Sequence, residues 1–187
     1  MYSGDLLTQQ GYEDNWIFQQ KELRKKETKP MENKNYVFVY GSLLSGLSNN
    51  HRLEGSKLIC KGVTKDLFCM ISFGGFPGLI SNPNDQQTPM EKVRSKSLFL
   101  QTEGEVYEVS DATLQGSLDS LEGNGRFYTR ELIKINGLKE NDGMAWCYLL
   151  PKSHLDKEVC LPTDDRLYSW KFYLDVLADK RLNNNKA

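Results

Sequence analysis

The sequence predicts an α+β domain in which a curled, largely closed β-sheet carries two helices. Three observations point there. About six segments have the alternation or the β-branched and aromatic density of strands, only two carry an apolar stripe at helical spacing, and few helices separate the strands, which disfavours a doubly wound parallel sheet. With 187 residues, 39% of them apolar and 26% charged, the chain is long enough to bury one core.

Residues 1–34 read as a polar amino-terminal arm, Gln-rich at first and then basic through Lys21, Arg24, Lys25, Lys26 and Lys29. Glu22 and Glu27 interrupt the basic run, so a solvated segment is expected there rather than a docking element for a polyanion. The folded domain is placed at 35–182 and a short tail at 183–187. Residues 36–40, YVFVY, form a run suited to a strand buried on both sides and bounded by Gly41. Further strands are expected at 57–63, 66–73, 97–109, 127–135 and 144–150. Ser110 is placed to cap a helix over 111–122, with Leu114, Leu118 and Leu121 as its buried stripe and Gly123 as its stop. Thr163 is placed to cap a second helix with Leu167, Trp170, Leu174 and Leu177 on one face. The stretch SFGGFPGLISNPNDQQTP, 72–89, reads as loop, and loops of that length often border a site.

Composition narrows the ligand classes. A formal charge of -1 supplies no field that would draw nucleic acid or an anionic bilayer, and no run approaches the ~20 apolar residues of a membrane span. Cys60, Cys69, Cys147 and Cys160 have no Cys-x-x-Cys spacing and only two histidines accompany them, so reduced thiols in a cytoplasmic protein are expected, with no metal. The expected partner is a small molecule and the expected state a monomer.

Two stretches carry candidate chemistry. The first is the turn after the initial strand, where Gly41 allows close backbone approach and Ser42 adds a hydroxyl. Its N–H groups could form a concave donor set for a carboxylate or oxyanion, or the turn could simply end the strand. It is neither a Walker loop nor a Gly-x-Gly-x-x-Gly fingerprint. The second is LDSLEGNGRFYTR, 118–130. Relative to Leu114, helical rotation puts Glu122 at about 80°, beside the buried stripe, and Asp119 at about 140°, as a solvated or hydrogen-bonding group. The helix dipole shifts a carboxyl pKa by well under one unit, so burial would have to raise Glu122 toward the ~6–7 that suits a general base at neutral pH. Glu105 and Glu108 are rival carboxylates, with a surface role expected for at least one. His51 is expected to pin a turn and Arg52 and Arg130 to form ion pairs, while His154 is given no role.

In order and spacing, VFVYGSL at 37–43, NHR at 50–52, FPGLI at 76–80, GEVY at 104–107, LDSLEG at 118–123 and FYTR at 127–130 resemble the gamma-glutamylcyclotransferase-like family, with the gamma-glutamylamine cyclotransferase branch the most similar. The resemblance covers about 36–150. It implies a small mixed β-barrel with flanking helices, and a lyase-type, cofactor-free release of 5-oxoproline and an amine from a gamma-glutamyl compound, with gamma-glutamyl transfer as a related activity. It further implies that Tyr40, Gly41, Ser42 and Leu43 bind the gamma-glutamyl head group, that Glu122 is the proton acceptor, and that Phe76 and Tyr128 line the pocket. Phe76 stands where a Tyr is common in similar proteins, and residues 81–96 look longer than in compact relatives. The alternative is a binding module that keeps the pocket without ring closure.

Overall fold

A computed structural model describes residues 34–82, 99–154, 158–163 and 166–184. The expected arm lies outside the described residues except for Lys34, as do 185–187 of the expected tail. Eight strands form one sheet: β1 (Asn35–Val39), β2 (Lys57–Thr64), β3 (Phe68–Ser72), β4 (Pro77–Ser81), β5 (Glu103–Val109), β6 (Thr129–Asn136), β7 (Met144–Leu149) and β8 (Glu158–Val159). Their order is β1-β5-β2-β6-β7-β4-β3-β8, and a further parallel pairing of β1 with β7 at Val37 and Trp146 closes β1, β5, β2, β6 and β7 into a five-stranded barrel. The barrel is mixed because that closing pair is parallel while β1 with β5 and β6 with β7 are antiparallel.

The closure creates a fork. One edge of β7 pairs with β6 from Thr129–Leu149 to Lys134–Met144. The opposite edge pairs with β1 at Trp146 but with β4 at Leu149, so β1 and β4 diverge where the first strand ends. Tyr40 fills the gap: its hydroxyl donates to Tyr148 O at 2.7 Å and accepts the Leu79 N–H at 3.2 Å. Beyond β4, antiparallel β3 and β8 extend the sheet. Val37, Phe38, Val39 and Tyr40 are all buried, as expected of a strand covered on both sides.

Among the described residues, two helices longer than a single turn accompany the sheet. α1, residues 111–122, begins where expected, with Ser110 Oγ accepting the Thr113 N–H at 3.1 Å. Its middle, Thr113–Leu118, is a π-helix, where the Asp119 N–H reaches back to Leu114 O, and its last turn, Asp119–Glu122, is α-helical. Gly123 ends it in the left-handed conformation at φ 60°, the stop that the sequence predicts. α2 is Trp170–Asn184.

Three expectations are corrected. β4 lies inside the stretch read as loop: Pro77 opens the strand, and Gly78 is there because Leu150 Cδ1 would sit 1.8 Å from an added Cβ. Of the strand expected over 97–109, residues 97 and 98 lie outside the described residues, and from 99 onward it is regular only from Glu103, with isolated bridges at Leu100 and Thr102 before it. The second helix starts at Trp170, because the Thr163 hydroxyl accepts the Leu167 N–H in a closed turn at 3.3 Å while Ser169 Oγ takes the Phe172 N–H at 3.3 Å. Trp170 and Tyr173 are buried and stacked, with Leu174 and Leu177 packed on the core. Among the described residues no helix is long and apolar enough to cross a membrane, and no group of three or more His, Cys, Asp or Glu could hold a metal ion.

Candidate active site

A cavity of about 520 Å³ opens at the fork, within the size range of small-molecule sites. Tyr40, Gly41, Ser42 and Leu43 leave β1 along one wall, Glu122 and Gly123 at the end of α1 form another, and Phe76, Pro77, Phe127, Tyr128 and Tyr148 complete it. All seven residues singled out in the sequence, Tyr40, Gly41, Ser42, Leu43, Phe76, Glu122 and Tyr128, therefore meet at one cavity.

The turn is held in shape by its neighbours. Leu44 N–H closes it onto Gly41 O at 2.9 Å, Asn49 binds Ser42 through both backbone (3.0 Å) and side chain (2.9 Å), and Asn50 Nδ2 donates to Leu43 O at 2.8 Å. The N–H groups of Ser42 and Leu43 have no acceptor among the described residues, which leaves two main-chain donors for a ligand. Gly41 is required by space: an added Cβ would lie 2.8 Å from Pro77 Cδ and Cγ. Of the NHR motif, Asn50 reaches the turn, while His51 is exposed and bonds Ser48 O at 2.9 Å, the turn-pinning part expected of it.

Glu122 is half-buried, and burial raises its carboxyl from 4.5 to about 7. Tyr40 and Tyr128 sense the same carboxylate: burial pushes both hydroxyls up, and the Glu122 charge adds to the shift. The Tyr128 hydroxyl donates to Pro77 O at 2.8 Å, tying the segment after α1 to the start of β4. Asp119 is the hydrogen-bonding group rather than a solvated one. It accepts Arg130 Nη1 at 2.9 Å and the Tyr148 hydroxyl at 2.7 Å, while Arg130 also lies 4.9 Å above the Trp146 ring.

Sequence reasoning named Glu105 only as a rival carboxylate and did not single out Lys171, Phe127 or Tyr148. Glu105 is buried, at 3% exposure, and its Oε2 accepts the Ser45 N–H (2.8 Å), the Ser45 hydroxyl (2.9 Å) and the Tyr107 hydroxyl (3.0 Å). Burial alone would raise its pKa, but these bonds and the charge of Lys171 hold it below the usual value. Lys171 Nζ donates to Ser45 O at 2.8 Å and lies 3.8 Å from Glu105, so both main-chain groups of Ser45 are taken. Of the two rival carboxylates Glu108 takes the surface role expected of at least one, pairing with exposed Lys34 at 3.1 Å, whereas strand alternation cannot report the loop that folds over Glu105. Phe127 and Tyr148 also line the cavity. The aromatic pair Phe127–Tyr128 straight after a Gly-Asn-Gly turn was the available signal for the first.

A cavity that sets a carboxyl titrating near neutrality beside main-chain donors can bind a polar head group and move a proton within it. Comparison with known proteins points to one family. The family model for "Gamma-glutamyl cyclotransferase, AIG2-like" matches residues 37–171. A Methanocaldococcus jannaschii protein described as a candidate gamma-glutamylcyclotransferase is 36% identical over 119 residues, 63% of this chain and 86% of its own length. The gamma-glutamylcyclotransferase family protein YtfP of Escherichia coli is 29% identical over 113 residues, 60% of this chain and 80% of its own. Among solved structures, an AIG2-like protein from Mus musculus has a TM-score of 0.52 at 20% identity, covering 68% of this chain and 86% of that one. A protein specific to uropathogenic Escherichia coli has a TM-score of 0.55 at 17% identity, over 76% and 97%. At these identities the structural likeness speaks for the fold.

Proposed function

The chain belongs to the gamma-glutamyl cyclotransferase, AIG2-like family, and from that premise we propose that it releases an amine and 5-oxoproline from a gamma-glutamyl amine, isopeptide or amino acid, with Glu122 as general acid and base. The α-amine of the gamma-glutamyl group attacks its own gamma-carbonyl carbon and closes a five-membered ring. The carbon–nitrogen bond to the second amine then breaks.

An α-ammonium with a pKa near ~8 cannot attack until a proton leaves. An ordinary Glu, near ~4.3, is mismatched to it by about 3.7 units, or ~5 kcal/mol; a carboxyl near 7 is mismatched by about one unit, or ~1.4 kcal/mol. Glu122 takes the proton and, as the neutral acid, returns it to the departing nitrogen, so that one group serves both steps. Such assistance contributes ~10²–10⁴-fold. The N–H groups of Ser42 and Leu43 receive the head-group carboxylate or the developing oxyanion, and holding the substrate bent lowers the barrier further because the reacting groups are already linked.

One observation carries this reading: the half-buried Glu122 carboxyl and the open main-chain donors line a single cavity. Glu122→Gln keeps the shape and removes the proton acceptor, so 5-oxoproline release from a mixed panel of gamma-glutamyl compounds is expected to fall by at least ~10²-fold. Thermal stabilisation by the same compounds is expected to persist. Undiminished release removes Glu122 from the mechanism. Stabilisation of the unaltered protein without product for every compound leaves a binding module instead.

A further inference from the structure

The cavity has a second, chemically different wall. Phe76 and Phe127 are 40% and 36% exposed, although large aromatic rings are among the costliest side chains to leave in water. They are not scattered. Phe73 stacks on Phe76 at 5.1 Å, Phe127 approaches Phe73 at 5.5 Å and Phe76 at 6.2 Å, and His154 closes on Phe73 and Phe127 at 5.9 and 5.6 Å. Phe127 then meets the buried ring of Tyr128 at 5.0 Å, so aromatic surface runs without a break from the outside to the cavity interior.

Backbone hydrogen bonds hold the two segments that carry these rings. The Phe73 N–H bonds Phe76 O at 3.0 Å across the Gly74–Gly75 tip that joins β3 to β4, and the Phe127 N–H bonds Gly123 O at 3.0 Å just after α1. A rim held this way loses little freedom when a ligand covers it.

We propose that Phe76 and Phe127, backed by the ring of Phe73, form the subsite for the amine half of the substrate and select gamma-glutamyl amides of uncharged aromatic amines. This rests on the cyclotransferase reading. If the head group lies on the turn at 41–43 and the reacting amide at Glu122, Phe76 and Phe127 offer an exposed apolar wall of the same cavity for the leaving amine. Among the described residues lining the cavity, Glu122 is the one carboxylate and it is committed to the reacting atoms, which leaves no counter-charge for a cationic amine tail.

The test uses the full chain and three gamma-glutamyl amides with leaving amines of similar basicity: ethylamine, phenethylamine and 1,4-diaminobutane. Measured by 5-oxoproline release, kcat/KM for the phenethylamide is expected to exceed that for the ethylamide by at least about tenfold, the scale of one buried ring, with the diaminobutane amide no better than the ethylamide. In Phe76→Ala and Phe127→Ala the phenethyl-to-ethyl ratio is expected to fall toward one. Phe76→Leu and Phe127→Leu serve the same comparison if an alanine variant does not fold. A ratio near one in the unaltered protein, preference for the diamine, or a ratio that neither variant changes overturns the proposal. If none of the amides yields product, the cyclotransferase reading fails separately. The rim is then judged by thermal shift, standing if the phenethylamide stabilises more than the ethylamide and the variants erase the difference, and falling if the two are equal.

Discussion

Glu122 and Glu105 are carboxylates of opposite electrostatic fate. Glu122 carries a raised pKa because burial opposes its charge and no partner among the described residues compensates; Glu105 carries a lowered one because three donated hydrogen bonds and Lys171 outweigh its burial. The linkage signs therefore differ. Between the ordinary carboxyl value of 4.5 and about 7 the folded protein binds a proton at Glu122 that the unfolded chain has lost, so this residue makes stability fall as pH rises through that window. Allowing for residual hydration, the full cost above pH 7 is about 2–3 kcal/mol. Glu122→Gln is accordingly expected to unfold later than the unaltered protein at pH 8 and at about the same denaturant concentration at pH 4, as urea titrations at the two pH values would show. A destabilised variant at pH 8 would mean that the carboxylate is solvated or paired. Glu105 contributes stability above the unfolded carboxyl range that is lost as pH falls through its lowered value. Glu105→Gln is expected to cost about 1–3 kcal/mol at pH 7, with the gap closing in acid, because the amide oxygen can still accept from Ser45 and Tyr107 but the charge that strengthens those bonds and pairs with Lys171 is gone.

At the scale of elements, the turn after β1 depends on its contact with β4. Gly41→Ala drives a methyl group to within 2.8 Å of the Pro77 ring, which cannot rotate away as an open side chain would. The expected result is a loss of about 1–3 kcal/mol in stability and a raised KM with smaller change in kcat, checked by thermal unfolding and steady-state kinetics on one gamma-glutamyl substrate. Unaltered KM would detach the turn from binding. Much at this scale was legible in the sequence. The strand at 36–40, the Ser110 cap and the Gly123 stop follow from local rules, and the structure keeps all three. The π-helical stretch was not legible, since a 100° rotation per residue assumes one register throughout; the wider turns rotate the last residues of α1, bringing Asp119 to Arg130 and Tyr148. β4 was hidden for a related reason. Proline and glycine mark turns when read locally, but here Pro77 starts a strand and Gly78 makes room for a side chain 72 positions away.

For the whole molecule, the sequence shows the parts of the site but not the partners that hold them. Tyr40, Gly41, Ser42, Leu43, Phe76, Glu122 and Tyr128 come from four separated stretches, and barrel closure gathers them at one cavity. Asn49, Asn50, Glu105 and Lys171, which fix the turn, contact it through long or folded-back paths that no periodicity encodes. The carboxy-terminal helix, left without a purpose by the motif pattern, reaches the turn through Lys171. The division of labour at β7 has a consequence of its own. Where that strand exchanges one neighbour for another, a phenolic oxygen shares with a single amide, Leu150 N–H to Leu79 O at 2.7 Å, the task of joining the barrel to its outer ribbon beside the cavity. A ligand that touches both sides is therefore expected to act as a rivet, tightening the junction by mass action as it saturates.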